Sequence, residues 1–377
     1  MPIRIVHTAD NHIGINFRQY PTIREKLLEE RFAALNRTVE FANLKQAHFL
    51  VVAGDLFDSE KVSKEAIRRT VSIFRQFTGQ AVLVLAGNHD YFDPAGENKI
   101  WKEFKNAARD EEHIRLMTEP GIFSFDCEGE KINFYACPCP SKLSKAHVID
   151  WASGADKSSG EWHIGVAHGN VEGIGLDADQ RYFNMTRQEL KNAGMHTWLL
   201  GHIHVPWPDE AFTGTPEFFM PGIHTPDSVK VKHPGHAWYL ELIQGKDIRF
   251  ESFQPGAIRF ERLSMEFSRA GDNPEILKKK VESLRSDGLI LDLVLSGRLP
   301  ADERKALADW LEEISKAFLH LDKDLGDVQE EADPRQLSQI WPEGTLPNAL
   351  IKELLNLNPE GDDARLAMEL YVKTRKQ

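Results

Sequence analysis

Phe49-Leu50-Val51-Val52-Ala53-Gly54-Asp55-Leu56-Phe57-Asp58 is a short apolar run that stops at a glycine and then delivers two carboxylates. Five apolar residues in a row predict a strand covered on both faces, which belongs to a sheet packed between layers. In such α/β folds, ligand residues stand just beyond the carboxyl ends of strands. The same device recurs along the chain. Apolar runs at 3–7, 81–86, 163–167 and 198–200 lead into Asp10-Asn11-His12, Gly87-Asn88-His89-Asp90, His168-Gly169-Asn170 and Gly201-His202-Ile203-His204. Further strands are predicted at 132–136, 237–243 and 248–253. Helices lie between the early ones. Residues 25–44 place Leu28, Phe32, Leu35, Val39 and Ala42 at helical spacing. Ser63 is a candidate N-cap for a stripe of Ala66, Ile67, Val71, Phe74 and Phe77.

The five strings supply imidazole, carboxylate and amide oxygen in one set. Gly14 lets the chain turn so that Asp10 and His12 converge. Asp55, after Gly54, is the natural bridging carboxylate. Asn88 offers a neutral oxygen. His168, His202 and His204 supply imidazoles. Mixed nitrogen and oxygen donors suit Mn²⁺, Fe²⁺ or Zn²⁺ better than Mg²⁺ or Ca²⁺. Any one string is a common accident; all five in order, each at a strand end, define a shared two-metal site for phosphoester hydrolysis. The isolated histidines His7, His48 and His196 are read as structural.

Composition bounds the rest. With 377 residues, 41% apolar and 28% charged, the chain has room for two or three globular domains. It contains no apolar run long enough for a membrane helix. The start, Met1-Pro2-Ile3-Arg4-Ile5-Val6, enters a strand without the features of a signal peptide, so a cytoplasmic location is expected. Three cysteines, Cys127, Cys137 and Cys139, make no disulfide framework; Cys137-Pro138-Cys139-Pro140 reads as reduced cysteines at a strand end. The net charge of −12 counts against a generic nucleic-acid binder, although bound cations reverse the sign locally. Residues 261–377 hold 17 Lys+Arg against 24 Asp+Glu, and only one of the 15 histidines, His320. Metal chemistry is therefore confined to the first part of the chain. In the second part, a helix at 275–286, a strand at 289–295 and a helix at 302–318 precede an acidic stretch, 322–333, read as a solvated linker. Two amphipathic helices, at 347–357 and 362–375, follow.

The order Asp-x-His, Gly-Asp-x-x-Asp, Gly-Asn-His-Asp, His and Gly-His-x-His resembles the calcineurin-like metallophosphoesterase superfamily. The wording of the strings, with His168-Gly169-Asn170-Val171-Glu172-Gly173 and Leu200-Gly201-His202-Ile203-His204-Val205-Pro206, is similar to SbcD-type DNA repair exonucleases. The resemblance implies an α/β fold: a four-layer sandwich of two mainly mixed sheets flanked by helices. It implies a phosphoesterase domain over 1–268, a small α/β capping domain over 269–321, and an acidic linker with a helical tail over 322–377. One metal would be held by Asp10, His12, Asp55 and His204, the other by Asp55, Asn88, His168 and His202, with Mn²⁺ the favoured ion and Fe²⁺, Zn²⁺ or Mg²⁺ alternatives. His89 would be the catalytic histidine, oriented by Asp58. DNA would be the substrate. An SMC-like coiled-coil ATPase of the SbcC type would bind the tail, and a homodimer would form through the helices after Asp58 and Asp90. Two alternatives stand beside this: a phosphodiesterase or phosphatase acting on small phosphoesters, and a regulatory component of an ATPase complex. Where that family reads Pro-Gly-Ser-Pro, this chain reads Pro221-Gly222-Ile223-His224-Thr225-Pro226; His224 is there an added substrate contact or a surface histidine.

Overall fold

The computed structural model describes residues 2–357 except 94–98, 146, 175–180, 210, 244, 246, 269–272 and 331–341; beyond 357 it describes only Asp363 and Ala367. The chain divides into two compact units, Met1–Phe260 and Glu261–Gln377.

The first unit is built on two mixed sheets. In one, β1 (Ile3–Thr8), β2 (Phe49–Ala53), β3 (Ala81–Leu85) and β4 (Ile114–Met117) run parallel. Beside β1 lie the antiparallel β10 (Ala237–Ile243) and β11 (Asp247–Phe253). The other sheet has the order β5 (Gly121–Cys127), β6 (Glu130–Cys137), β7 (Trp162–His168), β8 (Thr197–Gly201) and β9 (Phe218–Phe219); only the β5–β6 pair is antiparallel.

Strand alternation assigns each residue to a layer. Phe49, Val51 and Ala53 point into a core shared with Ile132, Phe134, Ile164, Val166 and Leu199 of the second sheet. Leu50 and Val52 point the other way. They meet Leu35 and Val39 of α1 (Arg24–Leu44), Val71 and Phe74 of α2 (Lys64–Phe74), and Trp101 and Phe104 of α3 (Ile100–Ala107). The outer face of the second sheet, with Tyr135, Trp198 and Leu200, packs on Ala152 of α4 (Asp150–Ser153) and Leu190 of α5 (Arg187–Asn192). The layers are thus helix, sheet, sheet, helix. Full burial of each such apolar side chain contributes about 1.5–3 kcal/mol. Ser63 caps α2, its hydroxyl accepting from Ala66 N at 3.1 Å.

Three predicted features of the second unit are corrected. The acidic stretch is not a linker as far as residue 330: β14 (Phe318–Asp324) and β15 (Val328–Glu330) both pair in parallel with β13 (Ser286–Leu299). Its acidic residues point outward while Phe318, Leu321 and Val328 are buried. The second helix is shorter than predicted: α7 (Ala301–Ile314) ends in a 3₁₀ turn, and Phe318 already opens a strand. The first helix, α6 (Pro274–Ser283), also stops early, because β13 begins at Ser286. β12 (Arg259–Phe267) completes the sheet beside β13. α8 (Leu346–Leu357) is described; the helix predicted at 362–375 lies outside the described residues apart from two positions. No helix of the described residues is long and apolar enough to cross a membrane.

Candidate metal centre

The carboxyl ends of the parallel strands from both sheets meet, and the five strings meet with them. The loops after β1 and β2 run side by side. Asp10 N donates to Gly54 O (3.1 Å), His12 N to Asp55 O (3.0 Å) and Ile13 N to Leu56 O (2.9 Å). The two sheets are tied at the same place, where His168 Nδ1 donates to Ala53 O at 2.8 Å. That bond fixes the tautomer and leaves Nε2 as the ligating atom. His168 Nε2 lies 3.2 Å from Asp55 Oδ2 and 3.0 Å from Asn88 Oδ1, and His202 Nδ1 is also 3.0 Å from Asn88 Oδ1. On the other side, His12 Nε2 lies 3.3 Å from His204 Nε2, 3.9 Å from Asp55 Oδ2 and 4.0 Å from Asp10 Oδ1. His204 Nε2 is 3.7 Å from Asp10 Oδ1. All seven predicted ligands are brought together, with Asp55 reaching toward both sides.

The backbone is bent to achieve this. Asp10, His12, Asp55 and His202 all have positive φ, at 51°, 45°, 52° and 97°, in the left-handed region that non-glycine residues avoid. Such conformations cost on the order of 1–3 kcal/mol each and cluster at functional sites. The glycines of the strings answer a different need. A Cβ on Gly54 would lie 2.2 Å from His168 Nδ1, and one on Gly87 would lie 2.2 Å from Asp55 Oδ1. The strings carry glycine where a ligand side chain crosses the backbone.

Charge in this buried cluster is unevenly shared. Burial favours neutral Asp10 and outweighs the neighbouring imidazoles, raising its carboxyl to about 6. Asp55 is equally buried, yet His168, and then His12 and His89, hold it well below the usual carboxylate range. Burial opposes a charge on His168 too, but Asp55 and Asp10 raise it to about 9. Burial, then His168, lowers His202 to about 3; burial, then His12, lowers His204 to about 4. Neutral His202 and His204 and ionised Asp55 are the forms that bind cations. Grouped carboxylate, amide and imidazole donors, with lone pairs facing one another over 3–4 Å, fit two divalent ions. Asp10, His12 and His204 form one group with ligating atoms within 4.8 Å of one another, Asp55, His168 and His202 form another, and His12, Asp55 and His89 form a third that bridges them.

His89 is held from two directions. Its backbone N donates to Asp55 Oδ1 at 2.8 Å, and its ring Nδ1 donates to the backbone carbonyl of Asp58 at 2.8 Å. Nε2 is left for chemistry, and the ring is only partly buried. Orientation of His89 thus comes from the main chain of Asp58. The Asp58 carboxylate lies instead 3.5 Å from His12 Nδ1. Burial opposes its charge, but His12, His89 and Arg31 hold it below its ordinary range.

Sequence reasoning missed two residues. Asp90 is fully buried and accepts from Gly87 N (2.7 Å) and Phe57 N (3.0 Å), joining the second and third strings. Burial, then Asp55, raises it to about 7. Its signal was its place as the last letter of Gly87-Asn88-His89-Asp90. Arg31 is a buried cation on the inward face of α1, and its signal was a charged letter on an apolar stripe. His224 is neither a surface histidine nor placed to touch a substrate: it is wholly buried, and Nε2 donates to Arg31 O at 3.0 Å. The three cysteines are free and buried, and Cys139 Sγ donates to His168 O.

The profile of the calcineurin-like phosphoesterase family matches residues 3–206, which contain all seven predicted ligands and His89. Among curated relatives, the uncharacterized metallophosphoesterase YhaO of Bacillus subtilis strain 168 is 27% identical over 360 residues, covering 90% of this chain and 80% of its own length. The DNA double-strand break repair protein Mre11 of Aeropyrum pernix is 23% identical over 353 residues, covering 88% and 77%. The D component of the nuclease SbcCD of Staphylococcus saprophyticus is 26% identical over 139 residues, covering 36% and 34%. With the family profile spanning more than half of its length, the chain belongs to the calcineurin-like phosphoesterases, metal-dependent hydrolases of phosphate esters.

Proposed function

We propose that the chain is a two-metal DNA nuclease of the SbcD type, with Asp10, His12, Asp55 and His204 holding one ion and Asp55, Asn88, His168 and His202 the other. The observation that carries the proposal is the convergence of these seven donors beside His89, whose ring Nδ1 is taken up by the Asp58 carbonyl. The ions, when bound, supply Lewis acidity at the phosphate and activate water at neutral pH. The chain's own groups do the rest. Asp55 Oδ1 holds the His89 backbone amide, the Asp58 carbonyl fixes the ring, and Nε2 delivers a proton to the departing oxygen. The Asp58 carboxylate faces His12 and orients that ligand.

Likeness to Mre11 over most of both chains favours DNA as the substrate. In α8, Leu346, Leu350 and Leu357 are exposed, an apolar row suited to a coiled-coil ATPase partner. A homodimer through α2 and α3 and a cytoplasmic location complete the proposal. Mn²⁺ is the ion of choice for the donor set. A second reading, hydrolysis of small phosphodiesters, draws on the net charge of −12, which opposes a polyanionic substrate. The two separate in one assay. The purified chain with Mn²⁺ at low salt is expected to degrade single- or double-stranded DNA. Rapid hydrolysis of an aryl phosphodiester with both DNAs intact would overturn the nuclease in favour of the second reading.

A further inference from the structure

Among the described residues no lysine or arginine other than Arg31 is buried, and Arg31 is unusual in what it lacks. Its Nη1 donates to the backbone carbonyl of Asn11 at 3.2 Å. Nε and Nη2 have no hydrogen-bond partner, and the guanidinium carbon lies 5.6 Å from the centre of the Phe17 ring. The carboxylates that attract it, Asp227, Asp58 and Glu30, act from beyond ion-pair distance. A guanidinium out of water without a paired carboxylate is costly, several kcal/mol before compensation. Its single hydrogen bond therefore points to what retains it.

Asn11 is the middle of the Asp10-Asn11-His12 turn, whose outer residues are the left-handed ligands at φ 51° and 45°. Backbone bonds to Gly54 O and Asp55 O hold the N–H groups of Asp10 and His12. Arg31 holds the carbonyl between them. On the other side, His224 Nε2 donates to the backbone carbonyl of Arg31, tying the segment around His224 to α1 at this residue. The second half of the centre is braced differently. His168 bonds to Ala53 O, and Asp55 accepts from His89 N; neither contact involves Arg31.

We propose that Arg31, steadied by His224, is a positioning residue for one half of the metal centre, the half built from Asp10, His12 and His204. It fixes the strained turn that aims the first two of these, and its charge offsets the carboxylates gathered there. The proposal rests on the two-metal reading above, and its test separates the two.

The full chain is titrated with Mn²⁺ alone, with stoichiometry and affinities read by calorimetry and the coupled pair of ions by electron paramagnetic resonance. Wild type is expected to take up two ions. Arg31→Met should weaken one of them about 10–100-fold, the range for loss of a group that orients a ligand, and leave the other in place. The resonance should then change from a coupled pair to an isolated ion. Arg31→Lys, whose ammonium can reach the same carbonyl, should restore most of the lost affinity. His224→Ala should weaken the same ion by less, and it carries the test if the methionine variant does not fold. Equal weakening of both ions, or of neither, in the variants that fold would overturn the proposal. Fewer than two ions on the wild type would overturn the two-metal reading instead.

Discussion

The two units fill their interiors in opposite ways. Met1–Phe260 buries aspartate, asparagine, threonine, histidine and an arginine, while among the described residues of Glu261–Gln377 the only buried polar side chain is Asn348. Both units are α/β, so the contrast is not one of class. In the second, β13 alternates from Leu291 to Leu295, and Leu289, Leu291, Leu293, Leu295, Leu307 and Leu311 close an apolar core. In the first, strands that are apolar along their length end in buried polar groups whose desolvation has to be offset. Neighbouring backbone amides offset part of it, and cations at the centre would offset more. The polar burial of the first unit is densest at the strand ends, around the candidate metal centre.

The contrast is broken most sharply at His89. His89→Ala should lower kcat by about 10²–10⁴-fold, the usual contribution of a positioned general acid. Both Mn²⁺ ions should remain bound, since the ring is held by Asp58 O rather than by the ligands. Calorimetry on the variant checks this, and loss of both ions would remove His89 from its assigned role. In the second unit, Leu291→Ala should cost about 2–5 kcal/mol of stability through a cavity in a fully apolar core. It should leave ion stoichiometry at two. Thermal unfolding paired with a Mn²⁺ titration decides, and a loss of ions in this variant would mean that the units are not independent.

The site was legible because its signal is local. Each string is a candidate ligand or two beyond an apolar run, and Asp10, Asp55, Asn88, His168 and His202 all stand where that pattern put them. What was hidden depends on partners distant in sequence. Nothing in the letters says that Asp58 would spend its carbonyl on His89 and its carboxylate near His12, or that His224 would turn inward to α1. The fold was legible for the strands buried on both faces and obscure at the edges. β5 exposes alternate residues, with Ile122 facing out, and offers no continuous apolar run. β14 and β15 were hidden because their outward residues are polar and mostly acidic, and charge counting reads a wet strand face as a linker.

Protons give the next smaller effect. Asp55 raises His168 to about 9 against burial, so the ring is expected to carry a proton at neutral pH before a cation binds. Its stabilising contribution is fully present below 6.5 and is lost as pH rises through about 9. A bound cation requires the neutral ring, so ion uptake expels the proton and affinity should climb with pH toward about 9, by up to about tenfold per unit. Calorimetry in buffers of different ionisation enthalpy should detect one proton released per protein. Affinity independent of pH over this window would show that His168 is already neutral.

The smallest effect sharpens the contrast because the same local device occurs in both units. Asn273 caps α6, its side-chain oxygen accepting from Ile276 N at 3.1 Å ahead of Pro274. Thr186 caps α5 reciprocally: its hydroxyl accepts from Glu189 N at 3.1 Å, and Glu189 Oε2 accepts from Thr186 N at 2.7 Å. Removing a cap costs about 0.5–2 kcal/mol. Asn273→Ala should fall near 1 kcal/mol, because one orphaned amide at an exposed helix start can turn to water. Thr186→Ala should cost somewhat more, since its loss also leaves Glu189 without the hydroxyl it accepts from. Neither cap touches a ligand, so both variants should bind two Mn²⁺ ions with wild-type affinity. If Thr186→Ala alone weakened an ion, α5 would be part of the metal scaffold, and the polar cost of the first unit would reach further from the strand ends than its buried residues indicate.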